Sequence, residues 1–240
     1  ADAHKAPIEN YAFGGAEVLE DSEENAGLLT LQREVDTYLL AHQEKADADS
    51  LYVIWIGGNN YLNLPEDPAA SITEVVEGIK HQMERLVKRG AKHFLVMNLP
   101  DLGATPIAYE YGEEALLSQI TQQHNDRLQA VTDELQRNYP EAQWIFFDAA
   151  HFFAELLASP GEYGFNNVRQ ACSEMAVRSS ELSERGNLVL GMVSHIKENP
   201  TLNCQGYLFF DVLHPSSAGH RIIAARVKEK CEAEGLYLEG

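Results

Sequence analysis

Three short apolar runs are separated along the chain by longer amphipathic stretches. The runs cover residues 51–56, 93–98 and 144–148, and each is rich in β-branched or aromatic residues. Short apolar runs of this kind, bounded by loop residues, are typical of buried strands. Strands that alternate with helices predict a parallel sheet with helices on both faces and functional groups at the carboxyl ends of the strands.

The stretches that predict helices repeat their apolar residues every three or four positions. They cover residues 27–44, 72–89, 113–138 and 217–233. Gly90 and Pro140 follow the second and third of them, as expected at helix ends. Residues 160–206 show no clear period. A chain of 240 residues is expected to form one domain, here 1–240.

Charge and hydropathy exclude several function classes. The net charge is -19, from 37 acidic and 18 basic residues. Such a chain lacks the basic surface that nucleic acid requires, and it is not attracted to anionic lipid. The longest apolar runs are about six residues, far short of the ~20 of a transmembrane helix. We therefore expect no nucleic-acid partner and no transmembrane segment.

The segment Phe-Phe-Asp-Val-Leu-His-Pro-Ser-Ser-Ala-Gly-His at 209–220 contains an acid three residues before a base. In one short turn, the carboxylate of Asp211 can orient the imidazole of His214. An imidazole held in this way can take a proton from a nucleophile. The pair alone is weak evidence, because an Asp or a His in this position can also cap a helix or pack in a loop.

Four other segments accompany this pair in a specific order. They are Asn-Tyr-Ala-Phe-Gly-Gly-Ala at 10–16, Gly-Gly-Asn-Asn-Tyr at 57–61, Leu-Pro-Asp-Leu-Gly-Ala-Thr-Pro at 99–106, and Tyr-Gly-Phe-Asn-Asn-Val at 163–168. Together the segments resemble the later sequence blocks of the GDSL, or SGNH, lipase and esterase family. The resemblance extends from residue 10 to about residue 230.

The resemblance implies a three-layer, flavodoxin-like SGNH hydrolase fold and a set of site residues. His214 would be the general base and acid, and Asp211 would orient it. Gly15 and Asn59 match the residues that stabilise the oxyanion, one through a backbone N–H and the other through a side-chain amide. Asn60 stands where the family usually has an aspartate, so the hydrogen-bond network around the oxyanion donors differs from the family pattern.

The family's Gly-Asp-Ser-Leu block, which carries the nucleophilic serine, has no counterpart in this sequence. None of the twelve serines stands in its context. Ser22 lies in an acidic stretch after Gly15, and Ser216 and Ser217 are expected to cap the last helix. We therefore expect the serine and the central first strand to lie in a segment outside this chain. The chain itself would then be an N-terminally incomplete hydrolase domain.

The resemblance also implies a disulfide between Cys172 and Cys204, which would hold the loop before Asp211. A disulfide favours an oxidising compartment, so a secreted or periplasmic location is expected. Cys231, in the last helix, is predicted to be a lone thiol. The three cysteines lack the close spacing of a zinc site, and neither metal nor cofactor is expected.

The activity implied by the resemblance is cleavage of lipid acyl esters through an acyl-enzyme. The sequence is most similar to bacterial secreted phospholipases, lysophospholipases and acyltransferases, and plant GDSL esterases share much of the pattern. Two alternatives stay open: a carbohydrate acetyl-esterase, and a catalytically silent SGNH-like binding module. Candidates for an acyl-binding surface are Phe13, Tyr61, Leu62 and Tyr163, with core packing an equal alternative. A further hypothesis is that the loop between Cys172 and Cys204 covers the site until it is cleaved.

Overall fold

The computed structural model describes residues 7–18, 30–173 and 203–237. Its strands are β1 (Leu51–Ile54), β2 (His93–Met97), β3 (Gln143–Phe147), β4 (Asn167–Ala171) and β5 (Tyr207–Phe209). Its helices are α1 (Leu31–Ala41), α2 (Asn59–Leu62), α3 (Pro68–Lys88), α4 (Pro106–Tyr111), α5 (Glu114–Asn138), α6 (Ala149–Ala158) and α7 (Ser217–Ala233). Two 3₁₀ turns lie at Leu102–Ala104 and Pro160–Tyr163.

The main sheet is parallel, with the strand order β1-β2-β3, and helices lie on both of its faces. Side chains alternate along each strand, so that Phe94 and Val96 of β2 point into the core shared with α3 and α5. Leu95 and Met97 point the other way, into the core shared with α6 and α7. The predicted three-layer α/β architecture is therefore confirmed.

β1 lies at one edge of the described sheet. Tyr52, Ile54 and Ile56 of this segment belong to the core on the α3 side or pack against it. On the opposite face Val53 is 56% exposed and Trp55 is 37% exposed, because α6 and α7 cover β2 and β3 but not this part of β1. Among the described residues, one edge and one face of β1 are therefore available for contact.

The long helices lie close to their predicted ranges, although α3 begins at Pro68, four residues before the predicted start at residue 72. Asp67 caps α3 by accepting a hydrogen bond from the Ala70 N–H, and Pro68 occupies the first helical position, where no N–H is needed. Gly90 follows the end of α3 at a φ of 118°. Nowhere in the described ranges is a helix both long and apolar enough to cross a bilayer.

Some elements differ from the sequence-based expectation. α2, α4, α6, β4 and β5 were not predicted, and β4 lies in the segment 160–206 that showed no period. The predicted helix over 27–44 is observed as Leu31–Ala41, and residues 27–29 lie outside the described ranges. The hypothesis of a covering loop concerns mainly residues 174–202, which are also outside them.

Candidate active site

The turn after β5 holds an acid and a base in direct contact. The Oδ1 atom of Asp211 accepts hydrogen bonds from the N–H groups of Leu213, at 2.8 Å, and His214, at 2.6 Å. Its Oδ2 atom lies 2.8 Å from the Nδ1 atom of His214. The Phe210 N–H also donates to the carbonyl of His214, which closes the turn. One carboxylate therefore fixes both the backbone of the turn and the orientation of the imidazole.

The environment of this pair suits proton transfer. Burial of Asp211 raises its pKa, but hydrogen bonds from His214 and from the turn's backbone outweigh this, so the pKa is lowered below the ordinary value. The hydrogen bond to Asp211 raises the pKa of His214 above 6.5, although partial burial opposes it. The His214 side chain is half exposed, and its Nε2 atom contacts no hydrogen-bond partner within the described residues. Nε2 is therefore accessible to a nucleophile.

The turn is anchored on both sides. The Ile107 N–H at the start of α4 donates to the carbonyl of Val212, and Ser216 caps α7 by accepting from the Gly219 N–H. A disulfide joins Cys172, directly after β4, to Cys204, just before β5. The disulfide and the pairing of β4 with β5 thus fix the strand that leads into Asp211.

A second set of candidate residues lies at the carboxyl end of β1. The Asn59 side chain, at the start of α2, donates from Nδ2 to the carbonyl of Ala16 at 2.8 Å. The neighbouring Asn60 accepts from the Val18 N–H at 3.2 Å. Gly15 is buried at a φ of 83°, and no hydrogen bond of its N–H is found in the described ranges. The structure therefore brings the segments of Gly15 and Asn59 together, with the Gly15 N–H and the second Asn59 amide proton available as donors.

A buried imidazole contacts helix α2, which begins with Asn59. His124 of α5 is fully buried, and its Nδ1 atom lies 2.8 Å from the hydroxyl of Tyr61 in α2. Burial lowers the pKa of His124 to about 4, so the ring is neutral near pH 7. Its Nε2 atom has no hydrogen-bond partner among the described residues. No sequence motif includes His124, and only its position on the buried face of α5 indicates packing.

The contact with His124 makes Gly57 difficult to replace. Gly57 has a φ of 114°, outside the left-handed region that other residues tolerate, and a methyl group added to it would lie 2.9 Å from Cε1 of His124. We expect Gly57→Ala to lower the free energy of unfolding by about 3 kcal/mol, from backbone strain together with overpacking. Urea denaturation measures this loss.

Gly112 provides the matched control. It has a φ of 69°, within the left-handed region, and nothing lies within 4 Å of an added methyl group. Gly112→Ala should therefore cost only about 1 kcal/mol, the backbone contribution alone. Equal losses in the two variants would show that the contact with His124 contributes nothing.

The two halves of the site are connected through the segment after β2. A methyl group on Gly58, next to Asn59, would lie 3.8 Å from Leu102. Leu102 in turn lines an apolar cavity together with Leu213 and Pro215, the two neighbours of His214. The backbone of Leu99, at the start of the same segment, is held by a double hydrogen bond to the side chain of Asn125. The sequence block at 99–106 therefore lies between the acid–base pair and the Asn59 turn.

The family of this chain follows from its similarity to known proteins. The model of the GDSL-like lipase/acylhydrolase family matches residues 2–227. This chain belongs to the GDSL lipase/acylhydrolase family. Its members include esterases and lipases, and the parallel sheet flanked by helices is consistent with their flavodoxin-like SGNH fold.

Three relatives illustrate the range of this family. Phosphatidylcholine-sterol acyltransferase of Aeromonas hydrophila is 28% identical, over 87% of this chain and 68% of its own length. A GDSL esterase/lipase of Arabidopsis thaliana is 25% identical, over 95% of this chain and 68% of its own. Thermolabile hemolysin of Vibrio parahaemolyticus is 28% identical, over 95% of this chain and 52% of its own. This GDSL chain therefore spans about two thirds, or half, of these relatives.

The other residues singled out in the sequence lie in different parts of the structure. Of the residues considered for an acyl-binding surface, Tyr61 and Leu62 are buried, Phe13 is exposed, and Tyr163 packs against the core beside α6. Cys231 is a buried free thiol. In the part of the chain that the structure describes, no group of three or more His, Cys, Asp or Glu side chains is arranged to hold a metal ion.

Proposed function

We propose that this GDSL chain carries the base, the acid and the oxyanion donors of a serine hydrolase that cleaves lipid acyl esters. The observation that carries the proposal is the 2.8 Å contact between Asp211 Oδ2 and His214 Nδ1, with His214 Nε2 left accessible. In this mechanism Nε2 accepts the proton of a serine as its oxygen attacks the ester carbonyl. Asp211 stabilises the imidazolium, which then donates the proton to the leaving alcohol.

Charge that develops on the carbonyl oxygen needs donors fixed in advance. Asn59 Nδ2 and the Gly15 N–H would supply two of them, since each has a proton not engaged elsewhere in the described structure. Water then hydrolyses the acyl-enzyme, or an alcohol takes the acyl group. The acyltransferase named among the relatives supports the second route as well as the first.

The nucleophile would come from a segment that adds a strand beside β1. The edge of β1 that no described strand occupies, and the exposed side chains of Val53 and Trp55, support this placement, because a further strand would pair at that edge and place its own side chains beside them. The serine at the end of such a strand would lie next to Gly57 and Asn59, where the strand β1 ends. The disulfide between Cys172 and Cys204 supports a secreted or periplasmic location.

Labelling with a fluorophosphonate tests the proposed function. The natural gene product is treated with the reagent, its intact mass is measured, and the labelled peptide is sequenced. We expect one label on a serine outside residues 1–240, together with hydrolysis of short-chain esters. A label on a serine within 1–240 would contradict the proposed origin of the nucleophile. Absence of both label and hydrolysis would contradict the hydrolase proposal and favour a silent SGNH-like binding module.

A further inference from the structure

The turn that carries Asn59 has little support from its own helix. Helix α2 is only four residues long, and Gly58 at its N-cap position offers no side chain to cap it. Backbone hydrogen bonds to the carbonyls of Gly57 and Gly58 close the turn. An isolated helix of this length is not stable in water, so its position depends on contacts with the rest of the fold.

One side chain contacts this turn on both sides of Asn59. The Nδ1 atom of His124 lies 2.8 Å from the hydroxyl of Tyr61, two residues after Asn59, and the two rings meet edge to face. The same imidazole fills the space beside Gly57, two residues before Asn59, since a methyl group added there would lie 2.9 Å from its Cε1 atom. A single rigid ring therefore contacts the backbone segment before the oxyanion donor and the side chain after it.

The imidazole is itself fixed by the packed core. His124 lies in the middle of the 25-residue helix α5, and both His124 and Tyr61 are fully buried. Val75 of α3, which packs against α5, lies 3.4 Å from the same methyl group added to Gly57. The position of the turn is therefore set by two long helices and not by the surrounding loops.

The ionisation of the pair indicates positioning and not proton transfer. Burial lowers the pKa of His124 to about 4 and raises the pKa of Tyr61 above its ordinary value. Both groups are therefore uncharged near pH 7, and neither is exposed to solvent. His124 is thus unsuited to act as a second general base beside His214.

Packing alone does not account for an imidazole at this position. Within the described ranges the Nε2 atom of His124 has no hydrogen-bond partner, and a buried polar atom left in this state destabilises the fold. A leucine would fill a similar space without this cost. What an apolar side chain cannot supply is the directional hydrogen bond with the Tyr61 hydroxyl.

We infer that His124 is a positioning residue, which holds the amide of Asn59 at the oxyanion through its contacts with Tyr61 and Gly57. This role rests on the proposed function and deepens it, since it adds a residue that acts only through Asn59. A donor stabilises the oxyanion only at hydrogen-bond distance, about 3 Å. A shift of the turn by ~1 Å therefore weakens binding of the transition state, while the substrate binds as before.

The measurement is kcat and KM for p-nitrophenyl acetate, with the natural gene product and its variants. Tyr61→Phe removes only the hydroxyl, and His124→Leu removes the imidazole. Each should lower kcat about ten-fold and change KM less than two-fold, because the turn stays folded but is no longer fixed in one orientation. Each should also lower the midpoint of urea unfolding, since one buried polar atom loses its partner.

The double variant, with both Tyr61→Phe and His124→Leu, separates positioning from stability. Removing both partners leaves neither of them unpaired, so the urea midpoint should return towards the wild-type value. The kcat should nevertheless stay about ten-fold low, because the directional hydrogen bond is still missing. A kcat that recovers together with the midpoint would show a merely structural role and overturn the inference.

A second cycle tests whether the pair acts through Asn59. Asn59→Ala removes the donor itself, so the addition of Tyr61→Phe should lower kcat by less than a further factor of about two. If Tyr61→Phe instead lowers kcat as much in Asn59→Ala as in the wild type, the pair acts elsewhere and the inference is overturned.

Tyr52→Phe is the matched control. It makes the same chemical change near the amino end of β1, where the Tyr52 hydroxyl lies 2.6 Å from that of Tyr38 and donates to the carbonyl of Asp47. It should lower the urea midpoint and leave kcat within about two-fold of the wild type. Equal kcat losses in Tyr52→Phe and Tyr61→Phe would reduce the effect to lost stability and overturn the inference.

The outcomes also separate this role from the proposed function. A wild-type kcat in both Tyr61→Phe and His124→Leu, with folding verified by circular dichroism, overturns the role of His124 and leaves the hydrolase proposal in place. If the unmodified gene product hydrolyses no ester, the proposed function fails, and the role of His124 fails with it.

Discussion

Replacing Asp211 by asparagine should lower kcat for ester hydrolysis by about 10⁴-fold, the loss seen when the acid of a Ser-His-Asp site is changed in this way. The structure gives the reason. Two backbone N–H groups point at Oδ1, so an asparagine must place its oxygen there and its amide nitrogen towards His214. The imidazole then carries its proton on Nε2 and cannot accept one from a nucleophile.

The same substitution should change the pH profile of the residual activity. His214 must be neutral to act as a base, and Asp211 raises its pKa above 6.5, so wild-type kcat/KM falls as the pH drops through this raised value. Without the carboxylate only the opposing effect of burial remains. The acid limb of Asp211→Asn should therefore lie at lower pH than that of the wild type.

Asp67→Asn is the matched control for this pair of measurements. It makes the same chemical change at the cap of α3, where an asparagine oxygen can accept from the Ala70 N–H equally well. Activity and unfolding should remain as in the wild type. A loss below ten-fold in Asp211→Asn, with folding intact, would show that Asp211 does not orient the base.

Replacing Asn59 by alanine should lower kcat by about 10²- to 10³-fold, with KM little changed, since the removed donor acts on charge present only in the transition state. Steady-state kinetics with a single short-chain ester measures this difference. The Asn59 side chain also holds the Ala16 carbonyl, so part of the loss could come from movement of the segment around Gly15.

Asn60→Ala separates these two contributions. Asn60 holds the same segment through the Val18 N–H, but its side chain has no proposed contact with the oxyanion. Its replacement should lower kcat less than ten-fold. Asn60→Asp, which restores the family's usual residue and keeps an acceptor oxygen for Val18, should leave kcat within about two-fold of the wild type. Equal losses in Asn59→Ala and Asn60→Ala would remove Asn59 from the oxyanion site.

Much of the architecture could be predicted from the sequence because β1, β2 and β3 are short apolar runs between helices of regular period. α6 was less evident, since its segment packs on several sides and its apolar residues, including Phe152, Phe153 and Leu156, do not form one narrow stripe. β4 and β5 were not predicted either, and the reason lies in their length, composition and pairing. They are short, partly polar and paired only with each other within the described ranges.

The candidate site likewise contains contacts within one turn and contacts between residues far apart in sequence. Asp211 and His214 are three residues apart, so their contact follows from one turn, and the sequence predicts it. The support of the Asn59 turn by His124 and Tyr61 joins residues 63 positions apart, and no local pattern encodes it. The apolar cavity, which four segments build, is likewise invisible until the chain is folded.

The open edge of β1 has a consequence for the behaviour of this chain in isolation. Its N–H and C=O groups, which no described strand pairs with on this side and which lie beside the exposed Val53, form a template for any extended peptide, and a second copy of the chain offers one. Preparations of these 240 residues alone should therefore self-associate as the concentration rises. The degree of self-association therefore indicates whether the edge is occupied, because a strand paired with β1 removes the template and keeps the molecules separate.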